Sequence, residues 1–160
     1  MKKFWWSLGY VAVLGFLSNF ARRLLPDRLD PEAFPFRSFD FEENGKFYER
    51  FGIRMWKNKV PDMSKYWKRL PRKKMTPGDG ADKTGILIQE TCVAELVHWG
   101  LILFSLGIFL FWRTPGAVCF FFLYNLLGNV PFIMIQRYNR PRLLKLAAKQ
   151  PGGRRSIGAV

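Results

Sequence analysis

The stretch Gln89-Glu90-Thr91-Cys92-Val93-Ala94-Glu95-Leu96-Val97-His98-Trp99 leads straight into Gly100–Trp112, where no residue is charged. From Leu96 to Trp112 the run is apolar and long enough for a membrane-spanning helix. Glu95 and His98 are three apart and share a helical face, one turn from each other. Glu90 precedes Glu95 by five residues, about 140° away on a helix, so joining it to that pair needs a bend or a neighbouring element. His98 is the only histidine of the chain. Ionisable groups at the mouth of a span are costly and mark a functional path or site, which points to an enzyme rather than a simple anchor.

The rest of the composition agrees. A chain of 160 residues has room for one domain and little more. Hydrophobic residues make up 49% and aromatics 17%, which with long uncharged stretches reads as a membrane protein. The net charge of +14 invites a nucleic-acid reading, but the apolar runs argue against it. A basic chain of this kind suits anionic headgroups and phosphate-bearing substrates. Cys92 and Cys119 lack the spacing of a metal site and read as buried free thiols.

Three spans are expected. Phe4–Phe20 is an apolar stretch behind Lys2-Lys3 and reads as a retained anchor. A signal peptide is the alternative, although no small-x-small cleavage site follows. Leu96–Trp112 is the second span and Gly116–Ile135 the third, joined by a tight reversal at Arg113-Thr114-Pro115. Basic residues concentrate in the middle segment and in the tail after Ile135, with only Arg113 in the turn. The positive-inside rule puts the middle segment and C-terminus in the cytoplasm, in a multi-pass protein of the cell membrane.

All 12 acidic residues fall between Asp27 and Glu95, mixed with basic residues and aromatics. Residues 34–41 read as extended, broken by proline. Within Asn44–Trp56, Phe47, Phe51 and Met55 recur every four residues, a helical apolar stripe with Gly52 as its weak point. Such a segment lies in the membrane interface or folds its aromatics into a small soluble core. Lys65–Asp82 has the composition of a mobile loop. The expected organisation is an anchor over 1–21, a basic aromatic segment over 22–89, a transmembrane hairpin with a polar site over 90–146, and a flexible basic tail over 147–160.

The third span carries Asn125 and Asn129 four apart on one face. Amides in hydrocarbon need partners in a neighbouring helix or a cavity, so both are helix glue or substrate contacts. Gly128 permits close approach and Pro131 adds a kink. Gln136-Arg137-Tyr138-Asn139-Arg140-Pro141-Arg142 is a dense basic block that either anchors the helix end or grips phosphates through forked hydrogen bonds.

Four motifs carry a family resemblance. They are Ser38-Phe-Asp-Phe-Glu-Glu-Asn-Gly-Lys-Phe-Tyr48, Arg54-Met-Trp-Lys-Asn-Lys59, Glu90-Thr91 with Ala94-Glu95-Leu-Val-His98-Trp99, and Asn129-Val-Pro131 through Gln136-Arg-Tyr-Asn-Arg-Pro-Arg-Leu143. In order and spacing, from about Leu25 to about Leu146, the chain resembles the glycosyl-4,4'-diaponeurosporenoate acyltransferase family. The resemblance implies esterification of a fatty acyl group to a sugar hydroxyl of a carotenoid glycoside, the last step of staphyloxanthin synthesis. The chain departs from the family over 60–85 and in Pro151–Val160, so the acceptor is a glycosylated carotenoid, another glycolipid or a lyso-lipid.

Residue chemistry suggests a mechanism. His98 is the natural general base, with Glu95 or Glu90 to orient it. Asn129 would donate to the oxyanion if its span packs beside His98. Asn125, Arg137, Tyr138, Asn139, Arg140 and Arg142 are substrate-binding candidates, the arginines for the phosphates of acyl-CoA or another acyl carrier acting as co-substrate. No bound cofactor or metal is expected: Glu95-x-x-His98 has di-iron spacing, but one histidine cannot supply the second motif such sites need. The alternative function is a non-enzymatic membrane scaffold that binds anionic lipid or a partner enzyme. The expected architecture is an all-α membrane protein of about three spans, with a lipid or glycolipid acceptor, no nucleic-acid partner and room for an oligomer.

Overall fold

The computed structural model describes residues 2–21, 24–26, 28–60 and 81–150. The tail Pro151–Val160 and most of the loop expected over Lys65–Asp82 lie outside them. Among the described residues every regular element is helical. The α-helices are α1 (Lys2–Ser18), α2 (Ile53–Trp56), α3 (Ala81–Ser105), α4 (Ile108–Phe111), α5 (Pro115–Gly128) and α6 (Val130–Lys149). A 3-10 segment covers Asp40–Phe51. Two stretches are long and apolar enough to cross a membrane, Lys83–Phe111 and Pro115–Lys149, and α1 forms a further apolar helix of 17 residues. Both stretches outrun the spans expected at 96–112 and 116–135. The helices continue past the apolar runs because polar residues there find partners: Thr91 back-bonds to the Ile88 carbonyl at 2.7 Å, and Gln89 bonds both N and O of Leu29 at 2.8 Å.

The chain divides into two compact units, residues 1–27 with 93–134, and 28–92 with 135–160. In the first, α1 packs on α4 around Val11, Ile108 and Ala117, with Tyr10, Phe109, Trp112 and Phe120 closing over them. α3 stops at Ser105 because the ladder tightens to i→i+3 bonds, Leu106 N to Leu103 O at 3.2 Å and Gly107 N to Phe104 O at 3.0 Å. Gly107 leaves room there for the Tyr10 ring, whose hydroxyl would have to shift to admit a Cβ. That hydroxyl donates to the Phe104 carbonyl at 2.8 Å. The reversal expected at Arg113-Thr114-Pro115 is present: Thr114 caps α5 in an extended conformation, and Pro115 takes the first helical position, where no N–H is needed.

Between α5 and α6 only Asn129 intervenes. Asn129 keeps right-handed helical torsions and the apolar stretch runs on from Pro115 to Lys149, but Pro131 has no N–H to offer the Leu127 carbonyl, so the ladder loses that bond where the kink was expected. The Asn129 carbonyl instead accepts from both Phe132 and Ile133 at 3.1 Å.

In the second unit, residues 34–37 turn instead of extending, Phe39 is extended, and 40–41 already belong to the 3-10 segment. The turns close through Phe36 N and Arg37 N, which both donate to the Ala33 carbonyl, at 2.8 and 2.9 Å. The amphipathic helix expected over 44–56 is also broken. Glu43, Asn44 and Gly45 all have positive φ, at 48°, 55° and 90°, and Gly52 turns left-handed at 63°, which bears out its reading as the weak point. The aromatics divide accordingly: Phe36 and Tyr48 enter the core, while Phe41, Phe51 and Met55 stay exposed. A Cβ on Gly45 would sit 3.1 Å from the Tyr138 carbonyl oxygen and 3.3 Å from its Cα. Backbone cannot yield as a side chain does, and the φ is itself unfavourable for other residues. Gly45→Ala is expected to cost about 1–3 kcal/mol, read as a lowered Tm in detergent.

Candidate active site

In the first unit, the end of α3 and the α5–α6 junction bring four polar side chains into one hydrogen-bonded row. His98 Nδ1 lies 3.0 Å from Asn129 Oδ1. Asn129 Nδ2 donates to Asn125 Oδ1 at 3.0 Å, and Asn125 Nδ2 donates to Ser105 Oγ at 3.0 Å. Ser105, Asn125 and Asn129 are buried and His98 is half-buried, its ring stacked on Phe132 at 4.6 Å between centroids. Asn125 and Asn129 do share a face, as four-residue spacing requires, and Asn129 does pack beside His98. The amide of Asn129 is turned differently from the sequence expectation, however: its carbonyl faces the histidine and its NH2 faces Asn125. Asn125 is held by Ser105 and, at 2.9 Å, by the Phe121 carbonyl.

Glu95 is fully buried and accepts from the Trp99 indole at 3.4 Å. Glu90, half-buried, belongs to the second unit. Ser105 and Phe132 were not singled out from the sequence. A signal existed for Ser105, which follows His98 by seven residues, two helical turns along the same face.

The second unit places the basic block. Arg137 and Arg140 turn inward to protein acceptors instead of facing out as phosphate ligands. Arg137 grips Glu42 with a fork, Nε to Oε1 at 2.5 Å and Nη2 to Oε2 at 2.8 Å, and also donates to the carbonyls of Pro35 at 2.8 Å and Arg37 at 3.1 Å. Arg140, 1% exposed, donates to Thr91 Oγ1 and O, both at 3.0 Å, and to the Phe36 carbonyl at 2.8 Å. Each guanidinium also lies over a ring, Phe39 for Arg137 and Phe36 for Arg140. These arginines fasten residues 35–42 to α6, and Arg140 also ties α6 to Thr91 of α3, a role the sequence reading did not assign.

Burial alone would raise the Glu42 carboxyl. The bonds from Arg137, the Tyr48 hydroxyl and the Phe39 N–H outweigh it and hold the carboxyl below its ordinary value of 4.5. Tyr48 is pushed the other way, by burial and by its bond to the Glu42 carboxylate.

Arg142 does reach the surface. Its guanidinium lies 3.5 Å above the Tyr138 ring and bonds Glu49 at 2.7 Å. Lys57 stands 4.7 Å from the same ring and donates to Asn139 Oδ1 at 3.2 Å, while Arg54 also bonds Glu49 at 2.7 Å. Three cations thus gather around Tyr138 with Glu49 between two of them. No group of side chains suited to a metal occurs among the described residues.

Sequence comparison defines the class: the chain is an acyltransferase of all-helical fold. Residues 32–149 match the family model for glycosyl-4,4'-diaponeurosporenoate acyltransferase. Two proteins of that name, from Staphylococcus aureus strains MRSA252 and USA300, are 33% and 34% identical to the chain, covering 89% of it and 86% of each relative. The chain belongs to the glycosyl-4,4'-diaponeurosporenoate acyltransferase family. No solved structure matches it.

Proposed function

We propose that this protein works in the membrane, moving a fatty acyl group from a carrier to a hydroxyl of a lipidic glycoside, a carotenoid glycoside or a related glycolipid, with His98 as general base. The observation that carries the reading is the hydrogen-bonded row that ends on His98, a polar path laid into otherwise apolar helices. Such groups are expensive in hydrocarbon unless they serve a function. The names of the relatives supply the acceptor class.

His98 takes the proton of the acceptor hydroxyl as its oxygen attacks the acyl carbonyl. The proton then leaves with the carrier's departing group. Glu95, one turn away on α3, stabilises the imidazolium that forms between these steps. Asn129 orients the imidazole through its carbonyl. In the second unit, Arg142 with Tyr138, Asn139, Arg54 and Lys57 offers a basic face for the phosphates of an acyl carrier such as acyl-CoA.

The exposed faces of Leu103, Phe104, Leu110, Phe122, Leu126 and Leu127 support a lipid environment. The distribution of basic residues favours a cytoplasmic middle segment and C-terminus.

The test compares lipid and carotenoid extracts by mass spectrometry from cells that make a glycosylated carotenoid, with and without this protein. A new species heavier by one acyl group is expected. Matching extracts, with membrane insertion verified, would overturn the acceptor assignment.

A further inference from the structure

We infer that Ser105 and Asn125 are positioning residues that act through Asn129, keeping the proton of the neutral His98 imidazole on Nδ1 and making Nε2 its basic nitrogen. The inference deepens the reading of His98 as general base and rests on it for its catalytic meaning. The geometry stands on its own.

The direction of the row is set by two backbone carbonyls, which can only accept. The Ser105 hydroxyl has one proton, and it goes to the Ile102 carbonyl at 2.7 Å. Toward Asn125 the Ser105 oxygen is therefore an acceptor. Asn125 answers with its NH2, whose two hydrogens meet Ser105 Oγ at 3.0 Å and the Phe121 carbonyl at 2.9 Å. Turning that amide over would set its oxygen against two acceptors in a buried site, so the orientation does not depend on telling O from N in an amide.

The opposite end of Asn125 is then Oδ1, and the Asn129 atom 3.0 Å from it is the donor Nδ2. That leaves Asn129 Oδ1 facing His98 Nδ1 at 3.0 Å. An amide oxygen has no hydrogen, so the hydrogen of this contact belongs to Nδ1. Each step admits one assignment, and polarity set at Ile102 and Phe121 is handed on to the imidazole.

Burial makes the relay rigid. Ser105 is 0% exposed, Asn129 1% and Asn125 6%, so no water competes for the internal bonds. Phe132, stacked at 14° to the imidazole, holds the ring plane. An unconstrained imidazole prefers its proton on Nε2, the nitrogen that a base needs deprotonated. The relay reverses that preference before any substrate arrives, as a carboxylate does for the histidine of a hydrolytic triad.

The chain has a single histidine, so protein grown with 15N-histidine gives one imidazole spectrum in detergent or bilayer. Above the histidine pKa, wild type is expected to show Nδ1 as the pyrrole-type nitrogen and Nε2 as the pyridine-type one. Asn125→Ala and the milder Ser105→Ala are expected to move this distribution toward Nε2–H, and to lower kcat roughly 10- to 100-fold, the loss typical when a group that orients a metal-ligating histidine is removed and taken here as the scale, with KM little changed. Asn129→Asp keeps an acceptor toward His98 and is expected to retain the Nδ1–H form.

A wild-type spectrum with the proton on Nε2 overturns the inference. So does a tautomer unmoved in a folded Asn125→Ala protein. If the tautomer is as stated but His98→Ala still transfers acyl groups, the relay stands and the general-base reading fails.

Discussion

Replacing His98 with alanine is expected to lower acyl transfer roughly 10²- to 10⁴-fold, the usual contribution of a positioned general base. In barrier terms that is about 3–5 kcal/mol. The loss should fall on kcat, because the imidazole takes its proton as the acyl bond forms and contributes little to holding either substrate. Alanine also removes the ring that stacks on Phe132 and the N–H that meets Asn129, so a fall in activity could reflect a disturbed helix junction. His98→Gln separates the two effects. Its amide can still donate to Asn129 Oδ1 but cannot take up a proton at neutral pH, so it should insert and fold like wild type and remain as inactive as His98→Ala. A correctly inserted His98→Ala protein with full transfer would remove His98 from the mechanism.

The second large effect is on stability. Arg137→Leu is expected to destabilise the second unit by about 3–5 kcal/mol, the typical result of stripping one partner from a buried ion pair. That is a large part of the 5–15 kcal/mol that holds a whole domain together. Glu42 is 1% exposed and Arg137 7%, so neither charge finds water once its partner is gone. The replacement also orphans the Pro35 and Arg37 carbonyls. An apolar double replacement, Glu42→Leu with Arg137→Leu, should therefore recover only part of the loss. Protease susceptibility of the 28–60 region and Tm in detergent read the effect.

The same pair gives a pH dependence. The folded carboxyl of Glu42 lies below its ordinary value of 4.5, so its stabilisation is fully present above that pH. It is lost as pH falls through the lower, folded value. Wild type should weaken as pH falls below 4.5, and Glu42→Gln should be less stable at neutral pH and flatter through the acid range. An acid profile identical in both proteins would show that the pair does not set acid stability.

Much of the helical layout is legible locally. The break at Pro115, the left-handed turn at Gly52 and the shared face of Asn125 and Asn129 each follow from one residue's backbone geometry or from a spacing of four. His98 stands out because it is the only histidine and borders an uncharged run. The basic block was legible as a block, but not in its direction. Arg137 meets Glu42 across 95 positions, and Arg140 meets Phe36 across 104. No local period registers contacts that distant, and charge composition favours an exposed reading for arginine by default. The positive φ values at Glu43 and Asn44 are of the same kind: neither residue demands them, and the fastening of that segment to α6 sustains them.

The sequence by itself determined the all-helical class, the apolar stretches and the family, because apolar runs, helix breakers and extended motifs are local and additive along the chain. Only the tertiary structure decided which polar groups meet. Ser105 joins the row that ends on His98, Asn129 presents its oxygen rather than its NH2, and two of three candidate phosphate-binding arginines become internal fasteners. The physical reason is that a buried hydrogen bond has a direction. Direction is set by which acceptors the fold brings within about 3 Å, a fact of packing that residue order does not carry.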